Sequence, residues 1–133
     1  MTITLATLKD ATAQQVFDQV ARHLVKQGKR SMKEEDSGIT TGTCAYRGTG
    51  GTMCAAGCLI ADDEYLAIFD PSEGMGWLEI VKEGYAPNAH QNLIQTLQNA
   101  HDSNQLIEQV LENMQRIAIN YGLSPAALFE NAE

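Results

Sequence analysis

Between Leu106 and Tyr121 the apolar residues fall at helical steps: Leu106, Ile107, Val110, Leu111, Met114, Ile117, Ala118 and Tyr121, with Gly122 directly after them. Side chains at three- and four-residue intervals share one stripe of a helix, and that stripe has to be buried against a partner. About four turns of such a stripe commit the chain to a helical layer, and Gly122 supplies a left-handed stop. A second stripe, Ala13, Val16, Phe17, Val20, Ala21 and Leu24, opens on Thr12 and ends before Gly28. Gln15 stands three residues after Thr12, the spacing of a capping box, in which each side chain satisfies the other residue's free backbone N–H.

Three further helical segments are expected. Leu93, Ile94, Leu97 and Ala100 form one stripe, with Asn88 as its cap and Gln91 at the capping-box position. The link at 101–103 is short, so this helix and the 106–121 helix are expected to form an antiparallel hairpin. Ser124 followed by Pro125 starts a last short helix through Phe129, and another is expected at 77–81, ending at Gly84. Asp62, Asp63 and Glu64 carry the charge that a helix N-terminus favours, ahead of Tyr65, Leu66, Ile68 and Phe69.

The middle of the chain reads differently. After a polar stretch at 29–42, expected to be mobile, residues 43–47 read as a strand, Gly48-Thr49-Gly50-Gly51 as a turn, and 52–55 as the returning strand. Two strands alone are marginal in water, so the hairpin is expected to pack on helices. The expected fold is mainly α, borderline α+β: about five helices packed around one small antiparallel β-hairpin, in a single domain covering 1–133. A chain of 133 residues can bury roughly two-thirds of its unfolded surface, which needs neither metal nor disulfide.

Charge is unevenly spread. Residues 1–61 hold seven basic and five acidic residues, a net of +2, whereas 62–133 hold two basic and twelve acidic ones, a net of −10. An acidic half argues against a nucleic-acid partner, since binding a phosphate backbone depends on Lys and Arg displacing its counterions. The basic group Arg22, Lys26, Lys29, Arg30 and Lys33 has a structural reason at the end of the first helix, where the dipole favours cations. The longest apolar run, 55–61, is too short to cross a bilayer. Residues 1–10 lack the basic flank and apolar stretch of a signal peptide, so the cytoplasm is the expected compartment and the three cysteines are expected to be reduced.

The residues Cys44-Ala45-Tyr46-Arg47-Gly48 and Cys54-Ala55-Ala56-Gly57-Cys58-Leu59-Ile60-Ala61-Asp62-Asp63-Glu64-Tyr65 resemble the hallmark of a family of small uncharacterised bacterial and phage proteins. Ala13-Gln14-Gln15-Val16-Phe17-Asp18-Gln19-Val20 resembles its opening helix, and the likeness runs from about Leu5 to Tyr121. It implies a compact bacterial protein carried by phages or other mobile elements. It supplies no catalytic residue.

Several constellations could carry chemistry. Cys54 and Cys58, four apart, could join Cys44 and one of His23, His90 or His101 in a tetrahedral zinc site. Small thiols buried beneath the hairpin are the simpler reading, and no metal or cofactor is expected. Arg47 could lower the pKa of a nucleophilic Cys54, and the 48–51 turn could present N–H groups to an anion beside Arg47. Tyr46, Arg47, Gly50 and Cys54 are therefore the candidate ligand-binding residues, with no residue assigned to catalysis. The leading expectation is a non-enzymatic binding or adaptor protein acting through contacts with another protein or with itself as a homodimer. A ligand site or hydrolase-like activity at the 43–55 hairpin is the alternative, and a zinc-stapled domain the third.

Overall fold

The best-marked helices form where their stripes place them. A computed structural model describes residues 2–28, 32–34, 40–44, 46–48, 51–66, 69, 76–103 and 106–130, and its first helix, α1, spans Ala13–Gln27. Both halves of the capping box are present: Gln15 N–H donates to Thr12 Oγ1 at 3.1 Å and Thr12 N–H donates to Gln15 Oε1 at 2.8 Å. Gly28, at φ 68°, closes the helix by donating to Leu24 O. Val16, Phe17, Val20, Ala21 and Leu24 are buried, as the stripe requires.

Three more α-helices follow: α2 (Trp77–Lys82), α3 (Gln91–Ser103) and α4 (Ile107–Asn120). At the end of α4, Leu123 N–H donates to Ala118 O at 2.7 Å and Gly122 N–H to Ile119 O, with Gly122 at φ 70°. That pair of bonds is a Schellman turn. α3 begins later than an Asn88 cap implies; His90 stands just before it at φ 55°, its Nε2 2.6 Å from Ala11 O. α3 packs on α2 and α4, while α1 packs on α4 and on a 3-10 turn at Ala126–Phe129. A second 3-10 turn, Gly57–Leu59, lies against α1.

Two parts of the expected fold need correction. The described residues form four α-helices rather than about five: Asp62, Asp63 and Glu64 make a turn in which Glu64 and Tyr65 N–H both donate to Ala61 O, and none of the described residues 62–66 and 69 is α-helical. The segment after Ser124 is 3-10. Nor do the helices surround a hairpin at 43–55. Thr43 and Cys44 belong to β2 (Thr40–Cys44), which pairs antiparallel with β1 (Met32–Glu34), Thr43 opposite Lys33 and Cys44 opposite Met32. These short strands contact each other and have no more than marginal contact with the helices.

The physical reason lies in the expected return strand. A strand at a sheet face alternates buried and exposed side chains, but Cys54, Ala55, Ala56 and Gly57 are buried in succession. A coil surrounded on every side, leading into the 3-10 turn at Gly57, buries these four small residues running. Before it, Gly48 N–H donates to Thr52 O at 2.8 Å. Of the stretch expected to be mobile, 29–31 and 35–39 lie outside the described residues.

The core gathers Phe17, Leu24, Leu59, Phe69, Trp77, Ile80 and Leu97, all fully buried. Each such side chain contributes about 1.5–3 kcal/mol by leaving water. Phe69 is met edge-on by three tyrosines, Tyr46, Tyr65 and Tyr85, at ring separations of 6.2, 5.9 and 5.6 Å. No helix among the described residues is long and apolar enough to cross a membrane.

Candidate functional site

Burying a coil creates a demand that helices and sheets meet internally: each backbone N–H and C=O needs a partner. In residues 52–60 side chains from distant elements supply many of those partners. Gln27 of α1 clasps Met53, accepting from its N–H at 2.8 Å and donating to its carbonyl at 3.0 Å. Gln19 donates to Cys58 O at 3.0 Å, and Gln98 of α3 accepts from Ala56 N–H at 2.8 Å. Within the coil, Gly57 N–H donates to Cys54 Sγ at 3.3 Å and the Cys58 thiol donates to Ala55 O at 3.1 Å.

The same device ties other coils to α1. Gln19 also takes both backbone groups of Ile3, at 2.6 and 2.9 Å, and Gln14 takes both of Ser124, at 2.8 and 3.0 Å. The Glu64 carboxylate accepts from the N–H groups of Leu5, Ala6 and Ala61. The acidic run that resembled a helix start is instead an anchor for the N-terminal coil.

Three of the four candidate ligand-binding residues converge on Gly57. Arg47 donates to Gly57 O at 2.9 Å, Ile60 O at 2.6 Å and Tyr46 O at 3.2 Å. Its guanidinium lies 3.3 Å from the Asp62 carboxylate and 5.0 Å from the centre of the Tyr65 ring. Two of those carbonyls belong to the first residue of the 3-10 turn and to the residue that follows the turn. A Cβ on Gly57 would stand 2.5 Å from Tyr46 O, so only glycine fits beneath the Tyr46 backbone. Cys54 is fully buried next to them. Gly50 and the Cys44 side chain lie outside the described residues.

The titrating groups are shaped by this burial. Desolvation lifts the Cys54 thiol well above its ordinary value and pushes Cys58 up to about 12. Nearby Asp102 raises Cys54 further by repelling a thiolate. The thiolate is the nucleophile and metal ligand, so at neutral pH both thiols are protonated and weakly reactive. Burial lowers the His23 pKa below 6.5. Its Nε2 stands 2.8 Å from Met53 O, and because a carbonyl only accepts, that nitrogen carries the proton. His101, fully buried, and Gln98 Nε2 both bond to the same oxygen of Asp102, at 2.9 and 2.8 Å, so a polar chain runs from the Ala56 N–H through Gln98 and Asp102 to His101. Among the described residues no three of His, Cys, Asp and Glu gather closely enough to hold a metal ion.

A half-open groove of about 680 Å³ lies along α1, bounded by the 2–11 coil and floored by Met53 and Cys58. Asp10, Asp18, Arg22 and His23 give it its charged and titrating groups. None of its lining except Met53 and Cys58 belongs to the 43–65 region singled out by the sequence. Comparison with protein-family models, curated proteins and solved structures found no match.

Proposed function

We propose that this chain is a small non-enzymatic binding or adaptor protein of the cytoplasm, acting through contacts with another protein or with a second copy of itself. The observation that carries the reading is the commitment of its reactive side chains to its own backbone. Arg47 is held by three carbonyls, His23 by Met53 O, and Cys54 by a buried N–H that its sulfur accepts. A group that reacts has to be able to meet a substrate in the right protonation state. The charge pattern supports a protein partner: a net of −10 over 62–133 favours docking against a basic surface. The resemblance to small bacterial and phage proteins supports a role in a bacterial cell or on a mobile element.

Affinity purification of the tagged chain from a bacterial lysate at low salt, with the mass of the eluted species measured by light scattering, tests the proposal. A retained protein that dissociates as salt is raised, or a stable dimer mass, is the expected result. A monomer retaining nothing overturns it. The convergence of Tyr46, Arg47 and Cys54 favours a second reading, a small-ligand or hydrolase-like site that would also use Gly50. That reading requires Cys54 to ionise in the native fold, and rapid alkylation of Cys54 by iodoacetamide would support it.

A further inference from the structure

The groove along α1 offers hydrogen-bond acceptors while most of its donors are engaged elsewhere. Gln19 has both ends of its amide on Ile3 and Cys58, and the Cys58 thiol donates to Ala55 O. Arg22, a cation in the lining, is held by Glu130 through Nε at 2.8 Å and Nη2 at 2.7 Å. The carboxylates are not so balanced. The Asp10 carboxylate has no hydrogen bond or ion pair among the described residues, and Asp18 accepts one hydrogen bond, from Gln14, and lies within electrostatic reach of Arg22. His23 is neutral near pH 7, with its proton on the nitrogen facing Met53 O, which leaves Nδ1 as an acceptor without a partner among the described residues. With Glu130 offsetting Arg22, the groove carries the net negative charge of Asp10 and Asp18.

Ile3, Ala11 and Met53 add an apolar wall. A ligand that suits this combination has an alkyl stem to lie on that wall and a cationic, donor-rich end to meet the carboxylates, and a lysine or arginine side chain has both. We propose that the groove between the 2–11 coil and α1 docks a basic segment of a partner protein, seating a Lys or Arg side chain at Asp10 and Asp18. The proposal rests on the protein-contact reading above and assigns it a surface.

The test is fluorescence anisotropy of the full chain with a labelled, end-blocked hexapeptide of alternating lysine and alanine at low ionic strength. The double variant Asp10→Asn/Asp18→Asn is compared with Glu79→Gln/Glu83→Gln, which removes the same charge from exposed positions on α2 and at its C-terminal cap. The groove variant is expected to weaken binding roughly tenfold and the α2 variant less than about twofold. Chemical-shift changes in the Ile3 and Met53 methyl groups should accompany binding. Equal weakening by both variants, or binding without shifts at Ile3 and Met53, overturns the groove and leaves the protein-contact reading standing. Absence of peptide binding overturns the groove as well; the protein-contact reading falls only if the purified chain is also a monomer that retains no protein.

Discussion

α1 and the 52–60 coil are neighbours in the core, yet their backbones are satisfied in opposite ways. In α1 the bonds are internal, and the ends are closed by residues three or four positions away, Thr12 with Gln15 and Gly28 with Leu24. In the coil, Met53 and Ala56 depend on Gln27 and Gln98, which are 26 and 42 positions away in the chain. The backbone bonds of α1 close within the helix itself, whereas those of this coil close only when the rest of the fold is assembled. Burial of unsatisfied backbone would cost about 1–3 kcal/mol for each orphaned group, so the coil concentrates the penalty for any lost partner.

Substitutions can break this contrast. The largest effect is expected from Arg47→Met, which keeps much of the side chain's bulk but removes the donor to three carbonyls; a loss of about 3 kcal/mol in urea unfolding is expected. Gln98→Leu should follow at about 1–2 kcal/mol, since it strands the Ala56 N–H in the core. Gln15→Ala, which cuts only the local cap of α1, should cost about 1 kcal/mol or less. If Gln15→Ala cost as much as Arg47→Met, the contrast between the two regions would fail.

A gentler perturbation is pH. Burial holds the His23 pKa below 6.5, so the folded chain binds fewer protons than the unfolded one in that window. The stability tied to neutral His23 is therefore complete above pH 6.5 and is lost as pH falls through the lower folded value. Unfolding of the native chain between pH 7.5 and 5 should show this decline, and His23→Gln should flatten it. A decline unchanged by that substitution would place its origin elsewhere.

The contrast also explains what could be read from the sequence. Both ends of α1, the stripe and stop of α4, and the short α2 helix were legible because their determinants are local. The fold around 43–65 was not, because the same letters serve different ends there. Gly57 is required by the approach of the Tyr46 carbonyl, a long-range demand no local pattern announces, and Glu64 suggests a helix start but anchors Leu5 and Ala6. Strand-like residues at 52–55 have no strand to pair with once Thr43 and Cys44 pair with β1. Of the candidate residues, Tyr46, Arg47 and Cys54 meet at Gly57 rather than across a hairpin. The groove's Asp10 and Asp18 went unnoticed and His23 was weighed only as a zinc ligand, since nothing in their spacing relates a coil to the outer side of α1. Gln19, Gln27 and Gln98 offered one faint signal: polar residues bordering or within an apolar stripe, where a buried amide needs partners.

Residues 44–48 and 54–65 include those most dependent on these long-range bonds, and native-state hydrogen exchange of the Ala56 amide tests that dependence most directly. If Gln98 holds that N–H inside the core, Ala56 exchanges as slowly as Val20 and Ala21 in the centre of α1, and Gln98→Leu accelerates it far more than it accelerates them. Fast exchange at Ala56 in the unaltered protein would contradict the account.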